Sequence, residues 1–172
     1  PESLVLLGAG PVGLEMAQAW KSLGTKEVTV VERLAVDDLP HIEPFAMHLL
    51  LEAFEEAGIR VMMSSPAVAV SQADGLVTVR LASGETVAAS RLVLATGRRP
   101  NTADLGLEHV GLIPGEVVTV DDSMRARGIA DGWLYAVGDV NGRALLTHQG
   151  KYQARQAGDH ILGKQTAAWA DN

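Results

Sequence analysis

Along these 172 residues the apolar positions first run unbroken, then follow a helical period, then alternate. Leu4-Val5-Leu6-Leu7 is a continuous apolar run, the pattern of a parallel strand buried on both faces. Val12, Met16, Ala19, Trp20 and Leu23 recur at helical spacing, and Gly24 is a natural stop. Val28-Thr29-Val30-Val31 predicts a second strand that ends on Glu32, with a loop over 33–42. Pro44 suits the first turn of a helix whose stripe is Phe45, Leu49, Leu50, Ala53 and Phe54 and which ends near Gly58. Residues 59–62 predict a third strand. This β-α-β-α-β order calls for a parallel sheet with right-handed crossovers.

The pattern then shortens to a period of two. Residues 67–70, 76–81 and 86–88 form short runs separated by the turn signals Asp74-Gly75 and Ser83-Gly84. Val77, Val79 and Leu81 alternate with Thr78 and Arg80, giving one buried and one wet face. An antiparallel three-stranded meander is expected in place of a third crossover helix. Leu92-Val93-Leu94-Ala95 returns as a buried strand to the parallel sheet. Residues 101–132 are mixed, with a strand expected at 117–120. Residues 133–137 predict another buried strand, and 147–162 a helix with Gly150, Ala154, Ala157 and Ile161 on one face. The fold class is α/β, a Rossmann-like parallel sheet carrying a meander.

Composition narrows the function. The chain is 47% hydrophobic with 18 glycines, which suits an α/β core with many tight turns. Its 14 Lys and Arg against 21 Asp and Glu leave a net charge of −7, which speaks against nucleic acid. No apolar run approaches the roughly 18 residues of a membrane span and no signal peptide opens the chain, so no membrane and a cytoplasmic location are expected. With no cysteine, a disulfide framework and thiol chemistry within the chain are excluded. His41, His48, His109 and His160 show no metal-ligand spacing and read as surface or packing residues, so no metal site is expected. Pro1 stands only a few residues ahead of a core strand, as in a fragment of a longer protein.

The first apolar run leads into Gly8-Ala9-Gly10-Pro11-Val12-Gly13, the glycine pattern of a dinucleotide-binding turn between a strand and a helix. Gly8 allows the tight turn, Gly10 lets a pyrophosphate approach the backbone, and Gly13 lets the helix pack on the strand. The helix that opens at Pro11 and Val12 offers unpaired N–H groups at its N-terminus and a positive dipole end to the diphosphate. A ligand-free glycine turn is the competing reading. Glu32, about 20 residues on, is placed to accept bonds from the adenine-ribose hydroxyls. A 2′-phosphate there would meet like charge, costing about 4 kcal/mol at about 4 Å and an effective dielectric of about 20. Asp37 and Asp38 add acidity and Arg33 is the one dissenting cation, so NAD is favoured over NADP. A solvated strand end is the other reading of Glu32.

Ala95-Thr96-Gly97-Arg98-Arg99-Pro100-Asn101 and Ala136-Val137-Gly138-Asp139 follow in fixed order. With the glycine turn and its continuation Leu14-Glu15, they resemble the pyridine nucleotide-disulfide oxidoreductases. The stretch from Gly138 through Asn141, Arg143 and Leu146 to Thr147-His148 is most similar to the branch of dihydrolipoamide dehydrogenase, glutathione reductase and mercuric reductase. The resemblance implies an NAD(P)-binding domain over 1–100. Over 101–172 it implies the C-terminal portion of a split FAD-binding domain, with the redox-active cysteines outside this chain. The implied function is hydride transfer between NAD(H) and FAD, dihydrolipoamide dehydrogenase-like, with a small-molecule disulfide or lipoyl substrate and a homodimeric parent. The isolated chain would be inactive. An NADH oxidase or ferredoxin-reductase-like flavoprotein without disulfide chemistry, and a stand-alone NAD-binding module, are the alternatives.

The same resemblance implies single-residue roles. Asp139, after Gly138, would bond a hydroxyl of the flavin's ribityl chain. Leu146, Thr147 and His148 open the last helix, whose N–H groups would face the flavin C2 carbonyl and favour negative charge on the reduced ring. The imidazole of His148 need not act itself. Gly97 and Arg98, led in by Ala95 and Thr96, would lie where the two dinucleotide sites approach, with Arg98 near the FAD pyrophosphate. An exposed strand-end cation is the alternative for Arg98. Glu15 would partner a lysine from outside this chain at the point of hydride transfer, which makes it the candidate catalytic residue. A carboxylate serving the dipole of the first helical turn is the plain alternative. Many relatives carry an aromatic gate over the nicotinamide pocket where this chain has Pro11.

Overall fold

The computed structural model describes residues 1–40 and 42–166; His41 lies outside them. The chain forms two compact units, Pro1–Gly97 and Arg98–Asn172. No helix among the described residues is long and apolar enough to cross a membrane.

In the first unit, β1 (Ser3–Leu7), β2 (Glu27–Val31), β3 (Ile59–Met62) and β7 (Arg91–Leu94) form a parallel sheet ordered β3-β2-β1-β7. Helices α1 (Pro11–Ser22) and α2 (Pro44–Glu56) are the crossovers. Strands β4 (Ala67–Ala73), β5 (Leu76–Leu81) and β6 (Thr86–Ala89) make the expected antiparallel meander. Asp74 and Gly75 both have positive φ (51° and 80°), which suits a two-residue hairpin turn. Strand β1 is apolar from Leu4 to Leu7 because both its faces are covered there. Leu4 and Leu6 pack with Val28, Val30, Leu14, Ala17, Met47 and Phe54 on one face. Val5 and Leu7 pack with Val31 and the meander residues Val79, Leu81, Val87 and Ala89 on the other. Leu6 is fully buried, and its truncation to Ala would cost about 2–5 kcal/mol. Where β1 and β7 begin, Ser90 N–H donates to Ser3 Oγ at 2.9 Å and Ser90 Oγ to the Ser3 carbonyl at 2.7 Å.

Three apolar expectations are corrected here. Helix α1 turns Gly13, Leu14 and Ala17 inward, while Val12 and Leu23 are exposed. The face toward the sheet carries Gly13 and Ala17 beside Leu14, with Trp20 partly buried against the core, so Val12 and Leu23 lie out of phase with it. Helix α2 buries Met47 and Phe54, with Leu51 partly covered, and leaves Phe45 and Leu49 exposed. Strand β7 is half-buried, and Leu94 is exposed, because β7 stands at the edge of the sheet and pairs with β1 alone.

The second unit is held by loops packed against α3 (Thr147–Ile161). The strands expected at 117–120 and 133–137 do not form. Only single bridges join Val120 to Ala126 and Arg125 to Tyr135, and Trp133 is exposed. Without a neighbouring strand, these extended segments satisfy their backbone groups with loop partners, as Val118 N–H to the Val140 carbonyl at 3.0 Å. Asp121 organises the turn that follows it. Its Oδ1 accepts from Ser123 N–H, Ser123 Oγ and Arg125 N–H at 2.9, 2.6 and 3.1 Å. The face of α3 also differs from expectation: Gln153 and Ala157 are buried, whereas Ala154 and Ile161 are exposed.

Candidate functional site

The three glycines of the first turn stand in three different environments. Gly8 has φ 105°, and a Cβ there would overlap the Ala95 carbonyl. At Gly13 a Cβ would overlap the Gly8 carbonyl. Backbone conformation and packing therefore demand glycine at position 8, and packing demands it at position 13. Gly10 is different. Its φ of −72° suits any residue, and a Cβ would meet nothing within 4 Å. Among the described residues nothing calls for glycine at position 10, and the space beside it is open. Pro11 opens α1 without an N–H and no side chain caps the helix, so the first-turn N–H groups of Val12 and Gly13 have no side-chain acceptor.

Glu32 follows β2 and is 7% exposed, so it is no solvated strand end. Its Oε2 accepts the Ala9 N–H at 2.7 Å and its Oε1 the Leu34 N–H at 2.9 Å. Arg33, Asp37 and Asp38 are exposed on the loop that follows. Ala95 lies against the turn and its N–H donates to the Leu7 carbonyl at 2.8 Å. Thr96 and Gly97 are exposed beyond it, Gly97 with φ 127°. Glu15 is the fifth residue of α1, not part of its first turn, and its exposed carboxylate makes no hydrogen bond or ion pair among the described residues.

In the second unit, Arg98 Nη1 donates to Asp139 Oδ2 at 3.0 Å and to the Leu145 carbonyl at 2.9 Å. Arg98 is thus exposed but paired. Asp139 sits on a 3-10 turn over Gly138–Asn141. Beneath it lies a buried polar network that the sequence pattern does not announce. Gln153 Oε1, fully buried, accepts from Gly138 N–H and from Asn141 Nδ2, both at 2.8 Å. Asn141 Nδ2 also donates to the Ala136 carbonyl at 3.0 Å. The available signal was a polar residue on the helical face shared by Gly150 and Ala157. Gly150 packs against Gly138, where a Cβ on Gly150 would fall 3.3 Å from the Gly138 Cα. Leu146 precedes α3 in extended conformation without a side-chain cap, and Thr147 and His148 are exposed in its first turn. His160 Nδ1 pairs with the Tyr135 hydroxyl at 2.8 Å. His109 lies beside Glu108 at 3.3 Å, and His48 is exposed. Among the described residues no cluster of three or more His, Cys, Asp or Glu could hold a metal ion.

The model of the pyridine nucleotide-disulphide oxidoreductase family matches residues 1–158. A Mycobacterium tuberculosis protein named NAD(P)H dehydrogenase (quinone) is 35% identical over 166 residues, covering 95% of this chain and 33% of its own length. The dihydrolipoyl dehydrogenase of Thermus scotoductus is 34% identical over 169 residues, covering 95% of this chain and 36% of its own. The chain therefore spans about a third of the length of these curated relatives. Among solved structures, LpdA from Mycobacterium tuberculosis superposes with a TM-score of 0.80 at 34% identity, covering 97% of this chain and 36% of that one. The likeness of fold extends to the HOCl-induced flavoprotein disulfide reductase RclA from Escherichia coli, with a TM-score of 0.83 at 24% identity and coverages of 98% and 38%. With nearly its whole length matched by that model, the chain belongs to the pyridine nucleotide-disulphide oxidoreductase family.

Proposed function

We propose that residues 1–97 bind NAD(H) and that residues 98–172 are the returning part of an FAD-binding domain, in an FAD-dependent oxidoreductase of the dihydrolipoamide dehydrogenase type. The observation that carries the first half is Gly10. It is a glycine with no internal reason to be one, beside open space and an uncapped helix start. That arrangement fits a diphosphate at close approach. Glu32, the acidic group after β2, supports NAD over NADP.

The second unit offers a donor and acceptor set that fits a flavin dinucleotide. Asp139 can accept from a ribityl hydroxyl, Arg98 adds positive charge beside it, and the uncapped start of α3 at Leu146, Thr147 and His148 presents N–H groups. FAD, when bound, would supply a two-electron acceptor for the nicotinamide hydride. The chain's own residues would bind and orient: the glycine turn the nicotinamide dinucleotide, Asp139 the ribityl chain, and the α3 N–H groups the carbonyl edge of the ring. Glu15 would position the hydride-transfer point through a lysine from elsewhere in the protein. The proposal includes a cytoplasmic homodimeric parent and a disulfide or lipoyl substrate, as the dihydrolipoyl dehydrogenase names of several relatives support.

A second reading rests on the 35% identical relative named NAD(P)H dehydrogenase (quinone). In that reading the electrons pass to an acceptor that is not a disulfide. Both readings share nicotinamide binding by residues 1–97. Fluorescence titration of the 172-residue chain with NADH and NADPH tests it. Saturable NADH binding, tighter than NADPH binding, is expected. Equal or tighter binding of NADPH would overturn the NAD preference, and no binding of either would overturn the function of the unit.

A further inference from the structure

We propose that Glu32 is a positioning residue of the glycine turn, whose carboxylate clasps the Ala9 N–H and fixes the backbone that a diphosphate would approach. The inference rests on the dinucleotide-binding reading of residues 1–97 and adds to it a role for Glu32 that does not depend on the ribose.

Ala9 is 0% exposed, so water cannot serve its N–H. Glu32 Oε2 supplies the partner at 2.7 Å from 23 residues away in sequence. The other carboxylate oxygen takes the Leu34 N–H at 2.9 Å, which fixes the orientation of the carboxylate through the bend after β2. A bond from a backbone N–H to an ionised acceptor is roughly twice as strong as a neutral one. The rest of the turn is unevenly held. Gly8 is anchored by its N–H to the Val31 carbonyl at 2.8 Å and by its packing on Ala95. A Cβ on Gly10 would meet nothing within 4 Å, and its carbonyl accepts the Leu14 N–H at 3.0 Å as the helix begins. Ala9 therefore sits between two glycines, one held by the sheet and one by the helix start, and neither restrains the Ala9 N–H itself. The Glu32 bond is the side-chain contact that restrains it. A carboxylate that served the ribose alone would have no need to be buried against the turn.

The test titrates the 172-residue chain with NADH and with an NADH analogue lacking both adenosine-ribose hydroxyls. Wild type, Glu32→Ala and Glu32→Gln are compared. A residue serving the ribose alone would weaken NADH on truncation and leave the analogue unchanged. The clasp predicts that Glu32→Ala weakens the analogue by about fivefold or more as well. Glu32→Gln keeps one carbonyl acceptor and should fall between. Amide hydrogen exchange supplies a readout free of ligand: Ala9 should exchange faster by about tenfold in Glu32→Ala, while Leu6 and Val30 keep their protection. Unchanged affinity for the analogue overturns the clasp and leaves the dinucleotide reading standing. If the wild type binds neither ligand, that reading falls, and unchanged Ala9 exchange in the variants then overturns the clasp as a contact too.

Discussion

The guanidinium of Arg98 is shared between the Asp139 carboxylate at 3.0 Å and the Leu145 carbonyl at 2.9 Å, so one side chain ties together the two ends of the segment that leads into α3. Both side chains are 56% exposed, and exposed pairs contribute about 0–1 kcal/mol. Arg98→Ala should therefore leave the urea midpoint of the chain nearly unchanged. In the longer flavoprotein to which these residues are proposed to belong, Arg98→Ala and Asp139→Ala should both lower FAD retention, measured by flavin absorbance after gel filtration. Full retention in Arg98→Ala beside loss in Asp139→Ala would reduce the arginine to a charge balance.

Gly10→Ala separates fold from binding. Its φ of −72° and open surroundings accept a methyl group, so thermal stability should stay within about 0.5 kcal/mol of wild type. NADH affinity should fall by about tenfold, since the methyl fills the space where the diphosphate approaches. Undiminished affinity by fluorescence titration would remove the observation on which the proposed function rests. Gly13→Ala, by contrast, should cost stability, because its Cβ would overlap the Gly8 carbonyl.

Glu15 has no structural partner among the described residues, which makes it a clean probe. Glu15→Ala should leave stability unchanged within about 0.5 kcal/mol. In the longer flavoprotein it should keep FAD and slow flavin reduction by NADH in stopped flow. Reduction at the wild-type rate with unchanged NADH affinity would leave Glu15 a surface carboxylate.

Asp121 gives the chain a pH dependence. Partial burial opposes its charge, but the bonds from Ser123 and Arg125 outweigh that and hold its pKa below 3.8. A carboxylate with a lowered folded pKa stabilises above the unfolded value, and that contribution is lost as pH falls through the folded one. Wild type should lose more stability than Asp121→Asn between about pH 5 and about pH 3, read from urea midpoints. Parallel losses would show that the turn does not depend on the ionised carboxylate.

The first unit was legible because its punctuation is local. Glycine and proline positions marked where helices and hairpins begin and end, and Gly24, Gly58 and Gly75 all adopt positive φ where turns were read. Helix faces were not legible from hydrophobicity. Gly13 and Ala17 face the sheet beside Leu14 because close approach selects small residues, so a stripe traced through Val12, Met16 and Leu23 missed the inward face. In the second unit, apolar runs were read as strands that have no neighbour to pair with. Its order comes from loop side chains packed on α3 and from polar groups, the Asp121 turn and the Asn141–Gln153 network, which a reading of apolar runs passes over. At the candidate site, residue types were readable. The burial of Glu32 against Ala9 and the pairing of Arg98 with Asp139 were not, because each joins segments far apart in sequence.

The bonds between Ser3 and Ser90 span 87 residues, and they mark a delay in how the first unit is assembled. Strand β1 receives β2 early, but its other neighbour, β7, is synthesised only after both helices and the whole meander. Until then one edge of β1 stays open, and Gly8 has no Ala95 to pack against. Such pairings form slowly, since a long loop must close before the contact rewards it. A nascent chain that ends before β7 therefore carries every residue of the glycine motif, and Glu32 as well, without a finished turn. The motif is local in its spelling and distant in its completion, because the packing of Gly8 on Ala95 waits for the last strand of the unit.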